Sequence, residues 1–198
     1  MRLPTDDDLG ELVGVIRDGM LNDDEPYPFA GPWALEAEPK RTWGALQHNW
    51  RARAEFTPET FQLPFVAVID GAIAGVQGLM ATDFPRLQQV TSGSWLGRGW
   101  QGEGYGREMR AAVLTFAFEK LEAVVALSEA RISNDRSVAV SRALGYRDNG
   151  ITRHGFGAHD ADEQINFRLD RADWEARTDR PAVTIDGWEV CAPMFRPG

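Results

Sequence analysis

The chain has a single cysteine, Cys191, in 198 residues, so no internal disulfide can form. The simplest reading is a reducing compartment. Histidine is equally scarce, with only His48, His154 and His159. One cysteine and three dispersed histidines argue against a structural zinc cluster, and no metal is expected. No uninterrupted apolar run is long enough to span a bilayer, so no membrane partner is expected either. The opening residues, Met1-Arg-Leu-Pro-Thr-Asp-Asp-Asp, lack the apolar stretch of a secretory signal. A cytoplasmic location is the expectation. Positive charge is also in short supply: 21 Lys and Arg stand against 30 Asp and Glu, for a net charge of −9. This balance argues against general nucleic-acid binding. It suits a cationic substrate, and any anionic ligand would have to be met by backbone amides and a few placed arginines.

Thr5-Asp6-Asp7-Asp8 reads as a helix start, with Thr5 as N-cap and Asp8 at the third helical position. Leu9, Leu12, Val13, Ile16 and Met20 then recur at helical spacing, predicting an amphipathic helix over about 6–20. A loop with acidic Asp23-Asp24-Glu25 and aromatic Tyr27, Phe29 and Trp33 follows. A second helix is predicted from Lys40 to Glu55, with Trp43, Leu46, Trp50 and Ala54 on one side. Phe65–Ile69 reads as a buried strand, Asp70-Gly71 as a two-residue hairpin turn, and 72–82 as its return strand. Gln89–Leu96 is a third strand. After a glycine-rich segment come a helix to about Leu121, a short strand at 124–127, a helix from Asn134 to Leu144, and a late strand at 164–169. Residues 183–190 read as a small hairpin around Asp186-Gly187. Clean strand–helix alternation is absent, which favours an α/β (α+β) mixed sheet flanked by helices over a regular doubly wound sheet.

The chemistry concentrates at Gln101-Gly102-Glu103-Gly104-Tyr105-Gly106, between a strand and a helix. Three glycines let the backbone turn tightly and bring N–H groups close to a ligand. The next helix adds unsatisfied amides and the positive end of its dipole, an arrangement suited to a pyrophosphate. Arg98, Arg107 and Arg110 add local positive charge. A Walker A loop is excluded because no Gly-Lys-Ser/Thr is present. A Rossmann dinucleotide loop is a closer competitor, since Gly102-x-Gly104 opens a helix and Glu129 follows the next strand. Its third small residue, however, would fall at Arg107.

Gly93-Ser94-Trp95-Leu96 with Trp100-Gln101-Gly102-Glu103-Gly104-Tyr105-Gly106-Arg107-Glu108 resembles motif A of the GNAT superfamily of N-acetyltransferases. Trp95-Leu96 and Glu108 make it similar to the RimJ/RimL branch. Asn134-Asp135-Arg136-Ser137 with Ser141-Arg142-Ala143-Leu144-Gly145-Tyr146 is similar to the family's motif B. The resemblance covers about residues 1–170. A GNAT domain is expected over 1–176; residues 177–198, beyond the resemblance, are expected as a C-terminal extension that could complete a homodimer or cover the acceptor cleft.

The resemblance further implies a mostly antiparallel sheet in which a bulged strand, 89–96, splays from 123–129 to admit the pantetheine of acetyl-CoA. The donor would be held by Trp95, Leu96, Gly97, Arg98, Gln101, Gly102, Glu103, Gly104, Tyr105, Gly106 and Arg107, with Asn134 and Ser137 on the pantetheine arm. A free N–H near Leu96 would polarise the thioester carbonyl. The reaction would be direct attack by a primary amine, either a small molecule or a peptide N-terminus. It needs a base and an acid. Ser141 occupies the acid position, where many members carry tyrosine. Glu129, in a partly apolar cleft with a raised pKa, is the candidate base. Glu25, Tyr27, Phe29 and Trp33, with Asp23 and Asp24, would border the acceptor. Capping by Asn134, helix packing by Ser141 and solvation of the loop carboxylates are the plain alternatives. An inactive CoA-binding module of the same fold also stays open.

Overall fold

The computed structural model describes residues 1–198 except 23–24, 30, 157–159 and 196–198. The expectations on Asp23, Asp24 and His159 therefore lie outside the described residues.

Thr5 does start the first helix, α1 (Asp6–Asp18). Its hydroxyl accepts from the Asp8 amide at 3.2 Å, and the Asp8 carboxylate accepts from the Thr5 amide at 2.9 Å. The Arg2 guanidinium, 2.8 Å from the same carboxylate, and the Thr5 amide hold the Asp8 carboxyl well below the usual range. Leu9, Leu12 and Ile16 pack with Val66 and Ile73. The helix ends earlier than expected because the chain turns at Gly19, with φ of 103°.

The second helix, α2 (Lys40–Ala54), has the expected span and a different buried face. Trp43 and Trp50 are 61% and 49% exposed, whereas Thr42, Asn49 and Ala52 are buried. The polar pair is tolerated inside because each finds a local partner. Asn49 Nδ2 donates to the Ala45 carbonyl at 2.9 Å, and the Thr42 hydroxyl lies 2.8 Å from Glu38 and 3.0 Å from the Pro39 carbonyl.

The first two strands, β1 (Phe61–Ile69) and β2 (Ala72–Ala81), close on Ile69 opposite Ala72. Asp70 and Gly71 both take positive φ, 49° and 85°, as a two-residue hairpin turn requires. A short helix, α3 (Phe84–Leu87), leads to β3 (Gln89–Leu96). Then come α4 (Tyr105–Glu119), β4 (Val125–Arg131), α5 (Asp135–Ala143), β5 (Arg147–Phe156), β6 (Asp160–Asp170), α6 (Arg171–Glu175) and α7 (Trp188–Phe195). One six-stranded sheet runs β1-β2-β3-β4-β6-β5. Only β3 and β4 are parallel. This open, mostly antiparallel arrangement is incompatible with a Rossmann module, whose sheet is parallel.

Leu114, Ala117 and Phe118 of α4 anchor the larger core, with Leu79, Val90, Phe167 and the fully buried Trp174 of α6. The strand β5 went unseen in the sequence because it forms the sheet edge and residues 147–155 are exposed, leaving no apolar alternation. The hairpin expected at 183–190 is replaced by α7. Trp188 and Phe195 lie seven residues apart, on one helical face. Trp188 packs edge-on against Phe116 at 5.6 Å, and Phe195 meets Phe61 at 5.3 Å. Among the described residues, no helix is long and apolar enough to cross a membrane.

Candidate active site

The strands β3 and β4 run side by side from Gln89 opposite Val125 to Ser92 opposite Ser128. Beyond that pair they part. The strand β3 continues along β2 until Leu96 faces Gly75, while β4 continues along β6 until Arg131 faces Gln164. The two chains diverge because each follows a different neighbour, and a wedge opens between Ser94–Leu96 and Glu129–Ala130. The bulge expected in β3 is not there. Its register with β2 is unbroken, and the register shifts lie instead between Ala67 and Val68 of β1 and between Asp148 and Ile151 of β5.

The wedge still exposes backbone groups. The Gly97 amide donates to the Ala74 carbonyl at 2.8 Å. By the alternation of an antiparallel ladder, Trp95 and Gly93 share that bonding edge, while Ser94 and Leu96 turn theirs toward the departed β4. Gly75 permits this close approach, since a Cβ there would collide with the Trp95 carbonyl oxygen.

A turn of 3-10 helix, Arg98–Trp100, carries the chain to the glycine segment. Gly102 and Gly104 have φ of 87° and 88°, so the left-handed bends expected of the glycines are real. Gly104 is the N-cap of α4, and no side chain caps that end. The Arg107 and Glu108 amides return to the Gly104 carbonyl at 3.0 and 3.3 Å. The Gln101 amide donates to the Arg98 carbonyl at 3.3 Å, so the amides left for a ligand are those of Gly102 to Gly106. A Cβ added at Gly102, Gly104 or Gly106 would meet no protein atom within 4 Å. Space in front of an uncapped helix end is what a pyrophosphate needs.

Gln101 has a role the sequence did not reveal. Its Nε2 donates to the Met20 and Leu96 carbonyls, both at 2.9 Å. Its Oε1 accepts from Asn22 at 2.9 Å and Arg136 at 3.1 Å. One amide thus ties the glycine loop to the end of α1, to β3 and to α5.

The opposite wall is made of side chains. Tyr27 donates to the Gly31 carbonyl at 2.7 Å and accepts from the Ala34 amide at 3.3 Å. Burial raises its phenol pKa. Phe29 packs between Tyr27, which it meets edge-on at 5.6 Å, and Trp33, tilted at 5.0 Å, and Trp33 meets Trp95 at 5.9 Å. Glu25 forms an ion pair with Arg136. Asn134 caps α5 by accepting from the Ser137 amide at 3.0 Å, and it donates to the Pro28 carbonyl at 3.3 Å.

These walls enclose a cleft of about 810 Å³. Of the residues anticipated from the sequence, it brings together Trp95, Leu96, Gln101, Gly102, Gly104, Gly106, Arg107, Glu129, Asn134 and Ser137, with Glu25, Tyr27 and Phe29. Six others stand off. The Gly97 Cα faces Val15, and Arg98 folds over Gly19. Glu103 is exposed. Tyr105 packs on Trp100, and Trp33 backs the aromatic wall. Ser141 is fully buried: its hydroxyl accepts from Arg110 at 2.7 Å and donates to the Ser137 carbonyl at 3.0 Å. Its proton is already committed to that carbonyl. Glu129 reaches the cleft but is exposed, so the apolar enclosure expected around it is missing. Asn22, Arg110 and Arg136 line the cleft without having been singled out as site residues. Of these, Arg110 carried a signal, being a positive charge beside the loop in an acidic chain.

Comparison with known proteins gives a consistent picture. A model of the acetyltransferase (GNAT) domain matches residues 1–147. The Bacillus subtilis (strain 168) protein named "Putative ribosomal N-acetyltransferase YdaF" is 27% identical over 109 residues, 54% of this chain and 58% of the relative. The match thus spans little more than half of that curated relative. Among solved structures, RimL, a ribosomal L7/L12 alpha-N-protein acetyltransferase in complex with coenzyme A, superposes with a TM-score of 0.63 at 13% identity, covering 85% of this chain and 92% of the other. A point mutant of the spermidine N-acetyltransferase SpeG from Vibrio cholerae gives 0.65 at 14% identity, covering 90% and 98%. At such identities these structures show a shared fold.

Proposed function

The chain belongs to the acetyltransferase (GNAT) domain family, and from that premise we propose that it transfers an acetyl group from acetyl-CoA to a primary amine by direct attack within a ternary complex. The observation that carries the proposal is the parting of β3 from β4 next to an uncapped helix end fronted by Gly102, Gly104 and Gly106. A narrow wedge with free strand amides suits an extended pantetheine, and the helix end suits the pyrophosphate attached to it.

When bound, acetyl-CoA supplies the thioester carbonyl that the amine attacks. The amides of Gly102–Gly106 hold the pyrophosphate, and Arg107 adds charge at the same mouth. Asn134 and Ser137 edge the pantetheine path from α5. The Leu96 amide, turned into the wedge, donates to the carbonyl oxygen where negative charge develops, which is the role of an oxyanion-hole donor. Glu129, across the wedge from Leu96, takes the amine proton directly or through a water. Its exposure favours the route through water. Glu25, Tyr27 and Phe29 border the acceptor. RimL and SpeG are named for a protein N-terminus and for a polyamine. Both are cationic amines, which suits the net charge of −9. The chain acts from the cytoplasm.

The test is calorimetric titration with acetyl-CoA and CoA, followed by thiol-release assays with spermidine, single amino acids and peptides bearing free N-termini. Micromolar donor binding and amine-dependent thiol release are expected. Absence of donor binding would overturn the proposal. Donor binding without thiol release from any amine would leave a CoA-binding module of the same fold.

A further inference from the structure

Arg110, one and a half turns into α4, is only 4% exposed, yet it faces the cleft. A buried guanidinium is normally matched by a carboxylate. Here, among the described residues, the groups acting on its charge are its own desolvation and the phenol of Tyr146. Its one hydrogen-bonded side chain is Ser141. Its Nε is buried without a hydrogen-bond partner, and beside it the Tyr146 phenol interacts with the Ser92 hydroxyl. Burial lowers the Arg110 pKa and raises that of Tyr146. A guanidinium keeps its proton in proteins even where burial works against it, and the buried phenol is held neutral. The result is an uncompensated positive charge ringed by neutral hydroxyls.

Its position says what would compensate it. Ser92 belongs to the last pair joining β3 to β4, so the charge sits by the apex of the wedge. Arg110 is six residues beyond Gly104, about 9 Å of helix rise from the end that suits the pyrophosphate. The anion that arises deep in the wedge, away from the phosphates, is the sulfur of the departing coenzyme. We propose that Arg110 stabilises the CoA thiolate as it leaves, with Ser141 as the positioning residue that orients the guanidinium. This rests on the acetyl-transfer reading above. In the step, the amine lone pair forms the C–N bond, the C–S bond breaks, and its electron pair departs on sulfur. The amine proton goes to the base on the acceptor side. The thiolate pairs with Arg110 and takes a proton from water on release. A fixed cation thus replaces the tyrosine acid that position 141 lacks.

The probes are CoA and desthio-CoA, which has hydrogen in place of the thiol, titrated into the whole protein across the pH range of thiol ionisation. The ultraviolet absorbance of the bound thiolate is followed in parallel. The bound thiol is expected to ionise at least one pH unit below free CoA, so that CoA gains about tenfold in affinity over desthio-CoA once ionised. Arg110→Met should abolish both effects, with low-pH affinity kept within about threefold. Arg110→Lys should retain part of them. Ser141→Ala should shrink the shift without removing it. Normal CoA binding with an unshifted thiol in the unsubstituted protein overturns the Arg110 assignment alone, even if Arg110→Met fails to fold. Equal weakening of CoA and desthio-CoA by Arg110→Met at every pH would mark a phosphate or packing contact, and would also overturn it. No binding of either probe by the unsubstituted protein would overturn the acetyl-transfer reading as well.

Discussion

The two walls of the cleft are built by different means. On the donor side, β3, the glycine segment and the start of α4 offer main-chain groups, placed by strand pairing and by φ values that glycine allows. On the proposed acceptor side, residues 25–29 and 31–35 offer side chains whose positions depend on one another, such as Tyr27 holding Gly31 and Ala34, and Arg136 holding Glu25. A main-chain site tolerates change in side chains and fails when the backbone is altered. A side-chain site yields by degrees, residue by residue, which suits a family that keeps its donor and varies its acceptor.

The largest effect should come from Gly104. At φ of 88° any side chain is strained, but asparagine enters this region at modest cost. Gly104→Asn should weaken CoA binding about tenfold or less. Gly104→Asp adds a negative charge where a pyrophosphate would lie and should weaken it by about 100-fold or more, some 2.7 kcal/mol. Calorimetry on the pair separates strain from charge. Equal losses would break the comparison by removing the phosphate from the glycine loop.

The same division explains what the sequence could and could not disclose. Glycines at Gly71, Gly102 and Gly104 announce their own backbone geometry, and β3 runs over the anticipated Gln89–Leu96, because local residue type decides local shape there. The capping box at Thr5 and Asp8 is legible for the same reason. The buried face of α2 was not, since the Asn49 amide nitrogen and the Thr42 hydroxyl find partners that only the folded chain provides. The strand β5 left no trace because an exposed edge strand has no apolar face to alternate. In the site, the sequence leaves Ser141 open between an acid and a packed helix residue, and its commitment to Arg110, 31 residues away, is a tertiary fact. The four bonds of Gln101 are equally long-range.

Gln101 is where the two walls meet, so Gln101→Ala should affect both. It removes bonds to Met20, Leu96, Asn22 and Arg136. The expected cost is about 2 kcal/mol in urea unfolding, because two carbonyls lose a part-buried donor. CoA affinity should fall about tenfold as the loop loosens. A loss of stability with unchanged CoA affinity would show that the glycine loop holds its shape without the tie, sharpening the view of the donor wall as a main-chain device.

Tyr27→Phe probes the other wall alone. The hydroxyl joins Gly31 to Ala34, and losing it should cost about 1 kcal/mol. The KM for an amine acceptor should rise severalfold while the CoA dissociation constant stays unchanged. If CoA affinity fell and the acceptor KM did not, the walls would have been assigned the wrong way round.

The smallest effect should come from Asp8, which belongs to neither wall. Asp8→Asn removes the carboxylate that accepts from Thr5 and pairs with Arg2, for a cost of about 1 kcal/mol or less at pH 7. The carboxyl's folded pKa lies below its unfolded one. Its contribution is therefore complete above the unfolded value, about 3.9, and is lost as pH falls through the folded one. The difference in unfolding free energy between the two proteins should be constant from neutral pH down to about pH 5 and should shrink below it. CoA and acceptor constants should match those of the unsubstituted protein throughout. A gap that persisted undiminished into strong acid would mean that the residue acts through packing rather than through its charge. A shift in either binding constant would mean that α1 transmits strain to the cleft through Met20 and Gln101, and the walls would then be coupled through the helix that both lean on.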